Sequence, residues 1–348
     1  MSALAYVTIV GDVAKVGTCV TLVTNSLLIY ITFYHIKNIT RAYKFLIFLM
    51  AEIGMIFSIL EILIHPFMHS YNASFAYFSI DPMFGLSKPL RTALVLIYSV
   101  VYVIVTCLIA IQFVYRHWIM IGSSHLMYFH GWRVLWWFGY VALCSLFWSL
   151  ALSQCLPDTY ALSYLRDEFA AHYGQDIQNV PSFLVVAYKL ENPGHTLTVR
   201  IRTAVCICVL VGDLFLQYVV MFYCGVKIHE KMKEVVTLTS SKRNRLQKQL
   251  FKTLVFQITA PSIFYHLPVV LLYFVLYFDL ELSFPSGVMV SFFSVYPAID
   301  SLILMCMVTE YNRVVTKLLA KPFLYIAGTL LKAHQSSAET TRKSDRVT

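Results

Sequence analysis

Seven apolar stretches, each roughly 20 residues or longer, divide this chain and constrain its fold more than any other feature. A bilayer core is about 30 Å thick, so a spanning α-helix needs roughly 20 apolar residues. Because backbone groups in lipid must find partners within the chain, only helices and closed barrels span membranes. A barrel requires alternating segments of about 10 residues, and the sequence shows none. It therefore predicts an all-α membrane protein, a bundle of seven transmembrane helices.

The composition agrees with such a bundle, because 59% of the 348 residues are hydrophobic and only 13% are charged. We expect a seven-helix domain at 1–309, a short amphipathic membrane-surface helix at 310–331 and a disordered cytosolic tail at 332–348. The predicted spans are Val16–Tyr34, Phe45–His65, Thr92–Val114, Val134–Ser153, Thr203–Val226, Thr253–Phe278 and Gly287–Thr309.

The net charge of +9 is unevenly distributed among the segments that join the spans. Of the 27 lysines and arginines, 20 fall in the loops and tail of one side. The positive-inside rule then places the N-terminus outside the cell and the C-terminus in the cytosol. The basic excess is explained by orientation, anionic lipid and a cytosolic partner, so nucleic acid is not an expected partner.

Cysteines and histidines give no sign of a metal, a cofactor or an active site. Seven of the eight cysteines fall within predicted spans, and no CxxC pair exists. His65 and His69 have a four-residue spacing that suits a metal on a helix, but Pro66 separates them and no third ligand is evident. We therefore do not predict an enzyme.

Four carboxylates, Glu52, Glu61, Asp213 and Asp300, fall inside predicted spans. A charge at the bilayer centre costs about 2.5–3.5 kcal/mol, so each is expected to face the bundle interior or to be protonated. A ligand contact, an ion site, a conformational switch and a simple hydrogen-bonded carboxyl all remain open. Asp300 follows Pro297 by three residues, and a proline there permits a kink.

Two further features, a long outer loop and a pair of prolines, suggest mobile elements. The outer loop Gln154–Arg202 is the longest, and a loop of this length is usually a lid or a binding element. In the sixth predicted span, Pro261 and Pro268 are candidate hinges. We place a ligand pocket in the outer halves of spans three, five, six and seven, with candidate contacts Tyr98, Tyr102, Asp213, Gln217, Tyr265, His266 and Phe292.

An ordered set of short motifs resembles the nematode Str-class serpentine chemoreceptors. Each motif is modest alone, but the set extends from the first span to the surface helix, and within the class it is most similar to the diacetyl-type odorant receptor. The motifs are His65-Pro66-Phe67-Met68-His69 with the Asn72 sequon, Phe113-Val114-Tyr115-Arg116, Pro157-Asp158-Thr159, Met221-Phe222-Tyr223-Cys224-Gly225 and Leu246-Gln247-Lys248-Gln249-Leu250-Phe251-Lys252.

The resemblance implies a G-protein-coupled receptor in the plasma membrane of sensory cilia, which binds a small odorant or soluble chemical and signals through a heterotrimeric G protein. It leaves open whether the receptor forms oligomers. A ligand shifts such a receptor between two packings only through its differential affinity for them. The implied G-protein-facing and switch residues are Tyr115, Arg116, Lys248, Gln249, Phe251, Lys252, Pro297 and Asp300.

Three departures from the family pattern are expected to matter. Ser301 stands where the family commonly has proline after the aspartate, and Gln112 stands where the diacetyl-type receptor has histidine. The segment Lys88–Leu94 contains no cysteine, so the outer disulfide of rhodopsin-like receptors is not expected. The alternative to a receptor is a seven-helix ligand-gated channel or transporter, known examples of which have inverted topology.

Two sequons test the topology, because glycosylation occurs only on the lumenal side. Asn72 lies in the first predicted outer loop and Asn38 in the first cytosolic loop. We expect Asn72→Gln to abolish the gel shift produced by an N-glycosidase, whereas the matched Asn38→Gln variant keeps it. The opposite pattern would show an inverted chain.

Overall fold

The computed structural model describes residues 3–81, 85–191, 196–238, 242–278, 283–284, 286, 290–318 and 320. These residues form a helix bundle with a small sheet at one end. The helices are α1 (Ala3–Tyr34), α2 (Arg41–Ile64), α3 (Lys88–Ile121), α4 (Leu135–Ser153), α5 (Thr159–Tyr173), α6 (Ile201–Leu238), α7 (Lys242–Pro261), α8 (Leu267–Val275), α9 (Val290–Met307) and α10 (309–318). Short 3₁₀ segments cover Ser124–Phe129, Gly131–Val134, Ile177–Asn179 and Leu276–Phe278.

Seven of these helical rods form the bundle. Among the described helices, α1, α2, α3, α4 with its preceding turn, and α6 are each long and apolar enough to cross a membrane. The sixth rod is α7 joined to α8 by a π-helical turn, Ser262–His266, between the two predicted hinge prolines. The seventh is α9, which packs on α1 and α7 and so closes the ring. The fold is the predicted seven-helix bundle.

Helix α3 is the centre of the bundle, because it packs on α2, α4 and α6. Helix α4 lies at the periphery and exposes large apolar side chains. Such a surface is suited to lipid, which does not penalise exposed apolar groups as water does. The most exposed of these side chains are Leu135, Trp136, Leu143, Leu146, Phe147 and Leu150.

A four-stranded antiparallel sheet caps the predicted outer end of the bundle, and the sequence had not predicted it. Its order is β3-β2-β1-β6, so three separate loops contribute strands. A second hairpin pairs β4 with β5. The strands are β1 (Pro66–Tyr71), β2 (Ser74–Ser79), β3 (Ser182–Val186), β4 (Tyr188–Glu191), β5 (Thr196–Val199) and β6 (Ser283–Phe284).

The chain passes directly from α2 into β1. His65 adopts a left-handed conformation with φ 46° and caps the helix, its N–H bonding to Glu61 O at 2.9 Å. Pro66 then prevents a further helical turn. His69 consequently lies on a strand, so the helical spacing considered for a metal pair does not apply. Among the described residues, no group of three or more metal-ligating side chains is placed to hold a metal ion.

Helices α2 and α9 approach most closely at Gly54. A Cβ atom there would lie 2.9 Å from Pro297 Cβ and 3.0 Å from Asn25 Nδ2. Real Cβ atoms almost never come this close, so the contact requires glycine.

We expect Gly54→Ala to lower stability by about 1–3 kcal/mol, the usual cost of overpacking. Thermal unfolding in detergent measures the effect. The matched control is Gly139→Ala on α4, where an added Cβ meets nothing within 4 Å. That control should be neutral or slightly stabilising. Equal stability of the two variants would contradict the close approach.

Candidate functional site

The sheet at the predicted outer end has two buried faces. Side chains alternate along each strand, so partners across the ladder share a face. Met68 pairs with Tyr77, and Phe75 pairs with Val185. These four side chains point into the bundle, and we call them the roof.

A cavity of about 60 Å³ lies directly under the roof. Aromatic and aliphatic side chains dominate its walls, and no described lining residue is charged. The polar groups are the hydroxyls of tyrosines and of one serine and the indole N–H of Trp148. Below the roof the walls are formed by Tyr98, Ser99, Tyr102, Trp148, Leu152, Leu210, Val269, Tyr273 and Phe293.

Two of the predicted ligand residues, Tyr98 and Tyr102, line this cavity. His266 lies just outside it. Its ring is 5.3 Å from that of Tyr102, and its Nδ1 is 2.5 Å from Tyr218 Oη. Tyr218 also bonds to Ser262 at 2.6 Å, so α6 is tied to the π-helical turn next to the cavity. π-Helical turns within α-helices are frequent at functional sites.

Asp213 and Gln217 occupy a different place, between α3, α4 and α6. Gln217 is fully buried, accepts a hydrogen bond from Tyr140 Oη at 2.5 Å and contacts the sulfur atoms of Cys107 and Cys144. Asp213 lies beside Gln217 and Cys144. The structure thus places these two predicted ligand residues in an interhelical polar cluster rather than in the cavity wall.

The side chains of Tyr265 and Phe292, also predicted as ligand contacts, lie outside the described residues. The roof residues were missed. Their signal was the run of aromatic and apolar residues on both sides of Asn72-Ala73, a short turn flanked by two strands.

A second cavity of about 670 Å³ opens at the predicted cytosolic end, and we call it the inner cavity. Tyr115 and Arg116 both line it. The Arg116 guanidinium stacks 3.6 Å above the ring of Tyr43, and its Nη1 donates to Gln247 Oε1 at 2.7 Å. This contact joins α3 to α7.

Arg116 has unused hydrogen-bonding capacity in this arrangement. The residue is only 2% exposed, and its Nε and Nη2 have no hydrogen-bond partner within the described residues. Buried donors of this kind favour a partner that brings acceptor atoms into the inner cavity.

The remaining predicted G-protein-facing residues lie on α7 and differ in exposure. Lys248 and Lys252 are exposed on α7, whereas Phe251 is buried. Gln249 donates to Thr309 Oγ1 at the start of α10 and accepts from its backbone N–H. The residue of this motif that meets Arg116 is Gln247, which the sequence did not single out.

The predicted switch region of α9 has polar contacts to two other helices, α7 and α1. Asp300 is buried and accepts a hydrogen bond from Tyr296 Oη at 3.3 Å, while Gln257 of α7 donates to its backbone carbonyl. Ser301 donates to Asn25 Oδ1 on α1, and Asn25 in turn donates to a carbonyl of α2. A proline at position 301 would have no hydroxyl, so Ser301 gives this chain an added tie between α1 and α9.

Polar contacts hold the outer start of α3 to the second outer loop. Lys88 Nζ donates to the Gln178 carbonyl, and Arg91 donates to the carbonyl of Asn179 and also to that of Asp81 in the first outer loop. All eight cysteines are free. Hydrogen bonds from cationic side chains to loop carbonyls therefore position this loop.

The bundle, with one cavity beneath the roof and a second at its opposite end, defines a seven-helix membrane protein. Squid rhodopsin has the same fold: the TM-score is 0.56 at 13% sequence identity, and the alignment covers 93% of this chain and 87% of the rhodopsin. At that identity the likeness concerns the fold alone.

Sequence comparison assigns the family. Residues 11–316 match the family model described as serpentine type 7TM GPCR chemoreceptor Str, and the chain belongs to this family. It is similar to G-protein coupled receptor str-33 of Caenorhabditis elegans, with 38% identity over 88% of this chain and 89% of that receptor. It is also similar to serpentine receptor class r-10 of the same nematode, with 26% identity over 100% of this chain and 99% of the relative. The recognition of the Str class is confirmed; the diacetyl-type detail remains a prediction.

Proposed function

We propose that this receptor detects a small, uncharged odorant in sensory neurons and signals through a heterotrimeric G protein. The observation that carries the proposal is the aromatic cavity beneath the roof. Membership in a chemoreceptor family supports it. The channel or transporter alternative lacks comparable support, because the matched family and the rhodopsin-like fold are those of receptors.

The cavity favours a particular ligand chemistry. A buried charge without a partner is costly, so walls free of described charges disfavour ionic ligands. Tyrosine hydroxyls can donate a hydrogen bond to a carbonyl or ether oxygen, and the Ser99 hydroxyl, which donates to the Leu96 carbonyl at 2.8 Å, can accept one from an alcohol. A water needs about 10–15 Å³ by such a measure, so about 60 Å³ accommodates only a few heavy atoms. Short ketones, alcohols and esters fit this description.

We place the roof outside the cell and the inner cavity in the cytosol, in agreement with the charge bias of the loops. The inner cavity would then receive the G protein, with Arg116 at its centre and Lys248 and Lys252 at its margin. Asn72, at the tip of the β1–β2 hairpin, would carry a glycan. By analogy with the family we propose the ciliary membrane as the location.

The odorant proposal is tested by expressing the receptor with a cAMP or calcium reporter and screening uncharged volatile ketones, alcohols and esters. We expect a response that is lost in cells without G-protein subunits and restored when they are supplied. With a responding compound, Ser99→Leu should reduce sensitivity at least tenfold, because the larger side chain fills the cavity.

The control for this variant is Ser26→Leu, the same change on the exposed surface of α1. It should leave the response unchanged at equal surface expression. A receptor that responds only to ionic compounds, or that responds equally with Ser99→Leu, would contradict the proposed site.

The Arg116–Gln247 contact generates a second prediction. Because it ties α3 to α7 at the inner end, we expect Gln247→Ala to raise ligand-independent signalling severalfold by weakening the resting packing. Basal reporter output at matched surface expression measures this. Thr259→Ala, which alters an exposed side chain of the same helix away from the inner cavity, is the control for a general effect on α7. Unchanged basal output in Gln247→Ala would show that the contact does not stabilise the resting state.

A further inference from the structure

One carboxylate oxygen gathers contacts from three loops at the outer surface of the sheet. Glu168 Oε1, on α5, lies 2.9 Å from His69 Nε2 of β1 and 3.2 Å from His172 Nδ1. Ser283 Oγ of β6 donates to the same oxygen. His69 is fully buried, and the Glu168 side chain is only 11% exposed.

The hydrogen bonds fix the protonation pattern of this cluster. A carboxylate only accepts, so His69 must carry its proton on Nε2 and donate to Glu168. Its Nδ1 is then an acceptor and receives the hydroxyl of Tyr173 at 2.9 Å. The His172 Nδ1 likewise donates, since its neighbours are the Glu168 carboxylate and the Glu168 backbone carbonyl at 3.1 Å. Three donors therefore converge on one anionic oxygen.

This cluster lies on the face of the sheet opposite the roof. Phe67, His69 and Phe78 point away from the cavity and contact α5, with ring centroids of Phe78 and Phe169 4.6 Å apart and those of Phe67 and Tyr173 6.3 Å apart. The outer end is therefore layered: cavity, sheet and α5. Glu168 joins α5 by hydrogen bonds to two strands of the sheet, the internal strand β1 and the edge strand β6.

We propose that Glu168 is a positioning residue that fastens the roof over the ligand cavity, and that releasing its hydrogen bonds opens the cavity to the outer solvent. The inference rests on the proposed function for the identity of the cavity. The sheet that carries the roof is suited to this role because three loops contribute its strands and no disulfide joins them, all eight cysteines being free.

Acid is expected to favour release. The titratable groups facing His69 are Glu168, His172 and Tyr173, all from α5. Burial lowers the pKa of His69, and the nearby Glu168 carboxylate only partly opposes this. In an opened roof the pKa would return toward about 6.5. The closed state then binds fewer protons, so it is fully stable above about pH 6.5 and weakens as the pH falls below that value.

The test measures entry into the cavity with a thiol probe. In a Ser99→Cys receptor, charged 2-aminoethyl methanethiosulfonate is added from outside, and labelling of position 99 is followed by peptide mass spectrometry. We expect Glu168→Ala to raise the labelling rate at least tenfold at pH 7.5. The control, Asp167→Ala, removes the neighbouring exposed carboxylate from the same helix and should stay within twofold of the parent.

The pH profile separates fastening from a merely structural role. Relative to a free thiol at each pH, labelling of the parent should rise severalfold between pH 7.5 and 5.5, and labelling of Glu168→Ala, which is already released at pH 7.5, should start higher and rise less. If Glu168→Ala does not fold, Glu168→Gln and Ser283→Ala replace it. Each weakens the hydrogen bonds of the cluster with little change in side-chain volume, and each is expected to raise the labelling rate about threefold.

Labelling at the parental rate in the folded variants would overturn the proposal, as would an equal rise in Asp167→Ala. The assay needs neither ligand nor G protein. A receptor that fails to respond to odorants but shows the expected labelling would refute the proposed function and leave the fastening intact.

Discussion

Every backbone polar group removed from water needs a hydrogen-bond partner, and this requirement organises both ends of the receptor. Within the bilayer it is met by helices. At the outer end, the loops that close the cavity are buried on both faces and cannot be irregular. Pairing β1, β2 and β3 into a sheet satisfies their backbones while their side chains face the cavity on one side and α5 on the other.

The same requirement explains which parts could be predicted. Long apolar runs reveal helices from composition alone, and they led to the seven-helix bundle. The strands gave no comparable signal, because both of their faces are apolar: Met68 and Tyr77 on one side resemble Phe67 and Phe78 on the other. Without an alternation of polar and apolar residues, two six-residue strands look like a loop beside a helix.

The candidate site was predictable only in part for a related reason. Tyr98 and Tyr102 follow from their positions on α3, and Arg116 follows from its place near the inner end of that helix. Gln217 does not, because a buried glutamine lines a pocket in some proteins and joins helices in others, and its partners Tyr140 and Cys144 belong to another helix. Long-range partners of this kind cannot be inferred from one segment.

Communication between the two cavities is most direct along α3 and α9. Tyr102 in the outer cavity and Arg116 in the inner cavity lie fourteen residues apart on α3, about 21 Å along a rigid helix. On α9, Phe293 lines the outer cavity one turn before Pro297, where Gly54 leaves no room for adjustment. Movement of α9 near Phe293 therefore shifts the helix as a whole or bends it at the proline. Ser301, one turn beyond Pro297, is hydrogen-bonded to Asn25 of α1, so this contact opposes either motion.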